Sequence, residues 1–254
     1  MIIAVCNQKG GVGKTTTTAA LALNLGKMGK RVLVVDMDPQ ANCTTALGLT
    51  ADVVGDACNM FDAIEELVSF DDIFVKVAPG VTLAPSHISL AAVERSLHQK
   101  IDRERVLARL LRPYLPKFDV IFLDSPPSLG VFTYNVLAAC DTILVPIQSE
   151  PLALDGITLL LHTIEDVRNY ELNPKCEVGG VVLTMYDQRR NVDKRVLAAV
   201  KDVFSDVVFE TTIPRDVRLV EFAETANAAI LDGDSQGAVA YRELAKEVAA
   251  RWLE

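Results

Sequence analysis

The sequence predicts an α/β protein with a doubly wound, mostly parallel sheet and helices on both faces. Three features of the chain point that way. The apolar run Ile2-Ile3-Ala4-Val5-Cys6 meets the turn Gln8-Lys9-Gly10-Gly11-Val12-Gly13-Lys14-Thr15-Thr16, and an alanine- and leucine-rich helical stretch follows. Further short runs, among them Arg31-Val32-Leu33-Val34-Val35 and Val120-Ile121-Phe122-Leu123, are apolar without alternation, as strands covered on both faces are. Two of these runs end in carboxylates, Asp36 and Asp124, and open α/β sheets gather functional groups at the C-terminal edge of their strands.

The chain of 254 residues is half hydrophobic, which is enough for a large core, and a doubly wound fold fills this length as one domain over residues 1–254. It has no apolar run long enough to span a bilayer, and it opens directly on a strand rather than on a signal peptide. A cytoplasmic protein is expected. Five scattered cysteines without a C-x-x-C pair argue against a disulfide framework or a zinc or cluster site. The net charge of -9 argues against nonspecific nucleic-acid binding through the bulk field of the molecule, and a local basic patch could still do that work.

A buried strand, a glycine turn and a helix start form a phosphate-binding loop, and the physics asks for each part. Gly10, Gly11 and Gly13 leave no Cβ to keep the backbone amides of residues 10–16, Val12 and Thr16 included, away from phosphate oxygens. The helix N-terminus adds partial positive charge, Lys14 can reach the β and γ phosphates, and Thr15 can ligate Mg2+. The next strand ends in Asp36-Met37-Asp38-Pro39-Gln40, where Asp38 is placed to orient an attacking water, because phosphoryl transfer asks for alignment more than covalent help. A turn-forming pair before Pro39 is the plainer reading of the same residues. Asp119 to Asp124 reads as a Walker B strand whose Asp124 sits beside Mg2+, followed by Ser125-Pro126-Pro127-Ser128.

The remaining elements follow in order. Residues 17–28 form a helix closed by Gly29; residues 61–67 look helical; residues 73–77 and 81–84 pair as short strands around Pro79-Gly80. A long amphipathic pattern predicts a surface helix over 89–115. Residues 142–147 and 178–184 are strands; a helix opens at 150–156 and runs to about Tyr170; a final helix covers 235–252, with Leu244, Val248 and Trp252 facing the core. His87 and His98 are lone histidines and are read as surface or satisfied polar residues.

The loop departs from G-x-x-x-x-G-K-[ST] by carrying Gln8 at the first glycine and a second lysine, Lys9, and in this deviant form, KGGVGKT, the chain resembles the ParA/MinD family of ATPases. D-x-D-P-Q at 36–40 and D-x-P-P-S-L-G at 124–130 resemble the same family. The resemblance implies a P-loop NTPase fold, Mg2+-dependent ATP hydrolysis with Asp38 as the hydrolytic aspartate, and Lys9 reaching across a homodimer to the partner's ATP. It also implies that Pro214 and Asp216 contact the nucleotide base, although Asp216 stands where the family usually has asparagine, and residues 221–227 depart from its E-A-P-S-x-G run.

Basic residues concentrate at Gln188-Arg189-Arg190-Asn191-Val192-Asp193-Lys194-Arg195 and at Arg215 and Arg218, and such clusters give sequence-independent, salt-sensitive DNA binding. An isolated charge run is more often a solvated surface. The resemblance implies that Arg189 and Arg215, with Arg190 and Arg218 beside them, grip nonspecific DNA once the ATP dimer forms. It further implies nucleoid association in the ATP state and release stimulated by a ParB-like partner. The chain shows neither a basic membrane-binding tail nor an N-terminal helix-turn-helix segment, so no membrane contact is expected. The alternative is a MinD-like spatial regulator acting at a membrane or a protein assembly. A metabolic ligase or reductase of the same fold would need a substrate pocket or ligating cysteines, and neither has a signature in the sequence.

Overall fold

In chain order β1 (Ile2–Val5) leads to α1 (Lys14–Lys27), β2 (Val32–Asp36), α2 (Asn42–Ala46), α3 (Ala51–Gly55) and α4 (Met60–Ile64). Then come β3 (Val75–Ala78), β4 (Val81–Ala84), α5 (Leu90–Leu97), α6 (Val106–Leu111), β5 (Val120–Asp124), α7 (Val131–Ala139) and β6 (Thr142–Gln148). The chain ends with α8 (Asp155–Asn169), β7 (Val178–Thr184), α9 (Asn191–Phe204), α10 (Val217–Thr225) and α11 (Gln236–Trp252). The computed structural model describes residues 1–55, 57–97, 99–151 and 155–253.

The strands form one sheet in the order β3-β4-β2-β5-β1-β6-β7, parallel except for the antiparallel pair β3–β4. Strand β1 lies inside the sheet, between β5 and β6. From it α1 carries the chain toward β2 on one side, whereas α7 carries the chain from β5 across to β6 on the other. The reversal of direction opens a crevice at the C-terminal end of β1, where α/β proteins of this kind hold ligands.

Period two along each strand divides the apolar residues between two cores. Ile3, Val5, Val34 and Phe122 pack on one face with α1, α2, α10 and α11. Ile2, Ala4, Val35 and Leu123 pack on the other with α4 to α9. Both faces are therefore apolar, which accounts for the unbroken hydrophobic runs in the sequence. Leu244 and Val248 are fully buried and Trp252 meets Phe209 edge-on at 5.6 Å, so α11 packs on the sheet as its pattern predicts.

Helix α1 ends in a Schellman turn. Gly29 takes a φ of 85° while Lys30 N–H donates to Leu25 O and Gly29 N–H to Gly26 O, satisfying the last carbonyls.

The expected helix over 89–115 is broken. It divides into α5, a 3-10 turn at Arg103–Arg105, α6 and a second 3-10 turn at Arg112–Lys117. The cause is tertiary: Asp102 turns left-handed at φ 58°, and Asn135 of α7 holds the break, accepting from Leu107 N–H and donating to Arg103 O. The amphipathic pattern itself holds on either side of the break: Leu90, Val93, Leu107 and Leu111 are buried, while Glu94, Arg95 and Arg109 are exposed. The helix expected over 61–67 stops at Ile64 because Glu66 turns left-handed, and Ile73 belongs to a 3-10 turn rather than to β3. His98, and Leu152-Ala153-Leu154 in the expected start of α8, lie outside the described residues.

Gly26 lets α1 lie against the β3–β4 turn. A Cβ there would stand 2.7 Å from Pro79 O and 2.6 Å from a Val81 methyl, and a backbone carbonyl cannot swing aside. Gly26→Ala is expected to cost about 1–3 kcal/mol in chemical denaturation; an unchanged midpoint would show that the turn gives way freely.

Candidate functional site

The loop of residues 6–13 sits at the crevice. Gly11 and Gly13 take φ of 74° and 89°, values that a side chain would strain, and Gly13 O accepts the first α1 hydrogen bond from Thr17 N–H. Two side chains pin the loop to the sheet. Thr184 of β7 donates its hydroxyl to Val12 O at 2.8 Å, and Asn7 donates its amide to Pro146 O of β6 at 2.7 Å.

The two lysines diverge. Lys14 is 7% exposed and turns inward, its Nζ 3.4 Å from Lys9 O. Burial lowers its pKa, and the negative field of Asp124 pulls it back up. Lys9 turns outward to the surface, where its Nζ meets Glu150 Oε2 at 2.6 Å.

Opposite Lys14 lie buried carboxylates. Asp36 and Asp124 end adjacent strands in register. Asp124 accepts Thr15 Oγ1 at 2.9 Å on one oxygen and Thr18 Oγ1 at 2.8 Å on the other. Asp36 accepts the Thr44 amide and hydroxyl at 2.8 and 2.7 Å, and the Asp38 amide at 3.1 Å. Burial pushes both carboxyls well above the usual range, and for Asp36 the nearby Asp124 adds to the rise. Asp38 is 8% exposed and accepts the Gln40 amide at 2.9 Å, one edge of the D-x-D-P-Q turn in which Ala41 adopts φ 53°.

Beyond Gly13 and Thr16 opens a cavity of about 420 Å3, whose other walls include Met185, Pro214, Asp216, Leu219 and Tyr241. The structure thus brings Pro214 and Asp216 beside the loop. The Asp216 carboxylate, however, is engaged at two helix starts: Oδ1 accepts Arg218 N–H of α10 at 2.9 Å and Oδ2 accepts Gly237 N–H of α11 at 2.8 Å. Burial pushes its pKa up, but these amides outweigh it and hold the carboxyl below its usual range. Asp216 is a structural cap on this wall as well as a lining residue.

The basic surface is partly self-neutralised. Arg189 forks onto Asp187 at 2.9 and 3.0 Å and holds that carboxyl down at about 2. Arg190 stands 3.7 Å from buried Asp193, and Arg218 pairs with Glu221 at 2.8 Å. Arg215, Lys194 and Arg195 are exposed and make no ion pair among the described residues.

A parallel strand, a lysine-bearing glycine loop at the switch point and buried carboxylates on the neighbouring strand ends define a P-loop nucleotide-binding protein. A family model described as an AAA domain matches residues 1–178. The sporulation initiation inhibitor protein Soj of Bacillus subtilis is 43% identical over 251 residues, covering 98% of each chain. The chromosome partitioning protein ParA of Caulobacter vibrioides is 39% identical over 254 residues, covering 98% of this chain and 94% of that protein. Among solved structures, a cobyrinic acid a,c-diamide synthase from Mycobacterium smegmatis with bound ATP analogue and magnesium superposes with a TM-score of 0.86 at 37% identity, over 99% of this chain and 95% of that one. The chain belongs to the ParA/Soj family of chromosome-partitioning ATPases.

Several site residues escape a reading of the sequence. Thr18 lies one turn from Thr15 on the same helix face, a spacing that could have suggested a shared partner. Thr44, Glu150 and Tyr241 reach the site only through the fold, and Tyr241 does so from α11 by a 3.0 Å hydrogen bond with Thr17.

Raised carboxyl pKa values fix the sign of a pH dependence. The folded state keeps protons that the unfolded chain has already released, so stability without nucleotide or divalent cation falls as pH rises above the ordinary carboxylate range toward the raised values. Thermal unfolding between pH 5 and 8 is expected to show this fall, and Asp124→Asn should flatten it; equal slopes in the two proteins would contradict the assignment.

Proposed function

We propose that the chain is a Mg2+-dependent ATPase, one P-loop domain working in the cytoplasm, that dimerises on ATP, binds DNA without sequence preference and lets go on hydrolysis. The observation that carries this reading is the divergence of the two loop lysines, Lys14 into the cradle and Lys9 away from it.

The residues support a division of labour. Backbone amides of residues 10–16 and the buried ammonium of Lys14 hold the phosphates, where a positive charge in a desolvated cradle acts strongly. Thr15 Oγ1 and Asp124 Oδ2 form a hard oxygen donor set beside the cradle, which fits Mg2+, a cation that keeps several waters and needs few protein ligands. Bound there, Mg2+ would neutralise charge on the phosphate oxygens. Asp38 orients the attacking water; its backbone is fixed through Asp36 and its carboxylate through Gln40. The cavity lined by Met185, Pro214 and Leu219 takes the base. Lys9 completes the site of a second subunit.

DNA contact rests on Arg215 first, because it makes no close ion pair among the described residues and feels Glu150 only at longer range, with Lys194 and Arg195 adding charge. Arg189, Arg190 and Arg218 must exchange carboxylates for phosphates. The reading includes a ParB-like partner that stimulates turnover, which rests on the resemblance of the sequence to ParA alone. The synthase named in the Mycobacterium smegmatis structure supports a second reading, an ATP-dependent ligase, and ATP-dependent retention on DNA separates the two.

Asp38→Ala is expected to keep ATP binding by calorimetry while turnover drops about 100-fold or more; normal turnover would remove the assigned role. Arg215→Ala should weaken ATP-dependent DNA binding more than Arg189→Ala, and the pair together should abolish it in a mobility shift with Mg2+ and ATP. Undiminished binding by the double variant would remove the patch.

A further inference from the structure

Lys9 is held at three points. Its N–H donates to Asn7 Oδ1 at 3.0 Å, its carbonyl faces Lys14 Nζ at 3.4 Å, and its own Nζ meets Glu150 Oε2 at 2.6 Å. The first two contacts belong to the backbone and fix it to the sheet, because Asn7 is itself buried and tied to Pro146 O. Only side-chain torsions remain free. The position of Lys9 Nζ is therefore decided by Glu150, the residue that follows β6 by two places, next to the strand that bears the loop.

Glu150 is prepared for this contact. Its second oxygen accepts the Gln148 side-chain amide, which orients the carboxylate, and pairing with Lys9 keeps its pKa below the usual range, helped by the positive charge of Arg215. A carboxylate offers an ammonium what a phosphate offers, a pair of anionic oxygens at charge-assisted distance. Both side chains are about two-fifths exposed, so the pair is in the class that water and salt weaken, strong enough to hold the lysine and weak enough to open.

We propose that Glu150 is a positioning residue that holds Lys9 within its own subunit and yields it to the partner's nucleotide when two ATP-bound subunits meet. This rests on the reading that Lys9 acts across a dimer. The contact is a cost that dimerisation must meet, and it biases the chain toward the single subunit until a triphosphate outcompetes the carboxylate.

The test is the dimer association constant by sedimentation velocity, with Mg2+ and a non-hydrolysable ATP analogue, at low and high ionic strength. The proteins are the unaltered chain, Glu150→Gln, Glu150→Asp and Lys9→Gln. Glu150→Gln is expected to associate about two- to five-fold more tightly at low salt, with the gain fading at high salt, and Glu150→Asp, which keeps the charge, to stay near the unaltered chain. Association of Glu150→Gln equal to or weaker than that of the unaltered chain, or a gain indifferent to salt, overturns the proposal. Lys9→Gln separates the two levels: if it loses the dimer while Glu150→Gln gains nothing, only the holding contact is wrong, and if it dimerises normally, the transfer of Lys9 to a partner is wrong as well.

Discussion

The site depends on one constraint, that a single tight loop must send two lysines in opposite directions. The left-handed glycines at 11 and 13 make the turn, Thr184 and Asn7 fasten it to β7 and β6, and the start of α1 aims Lys14 inward. Because the loop is fastened on both flanks, the Lys9 backbone is fixed, and its side chain is held outward by Glu150. Geometry imposed by the sheet thus separates a residue for the chain's own ligand from one presented at the surface.

Electrostatics reinforce this separation. At the strand ends Asp36 and Asp124 share a buried corner, with Lys14 as the cation in that field. Burying two carboxylates together is unfavourable, and the threonines at 15, 18 and 44 offset part of the cost by donating to them. What remains is charge that phosphates and a divalent cation can rearrange favourably, so the site is built to be stabilised by its ligand. The same logic acts at lower stakes on the surface, where Asp187 and Glu221 hold Arg189 and Arg218.

Much of this was legible in the sequence because it is local. The loop, the two carboxylate-ended strands and the apolar runs each occupy a few consecutive residues, and the sheet repeats what those runs imply. Long-range contacts left no such trace. The break in the helix expected over 89–115 is set by Asn135, a residue in a different helix, and an amphipathic pattern carries no information about it. The Glu150 contact arises because β6 lies beside β1, and the capping role of Asp216 arises because α10 and α11 start together. Charge counting could not see which arginines already hold a carboxylate.

The direction in which Lys9 works can be measured by mixing two inactive variants, Lys9→Ala and Asp38→Ala. If Lys9 serves the opposite subunit, a mixed dimer contains one intact site: the nucleotide of the Lys9→Ala subunit keeps its own Asp38 and receives Lys9 from its neighbour. ATP turnover in the mixture should then rise above that of either variant alone, toward about one quarter of the normal rate for random pairing of equal amounts. Mixtures that form dimers yet stay as inactive as their components would place Lys9 on its own nucleotide and contradict the division of labour between the two lysines.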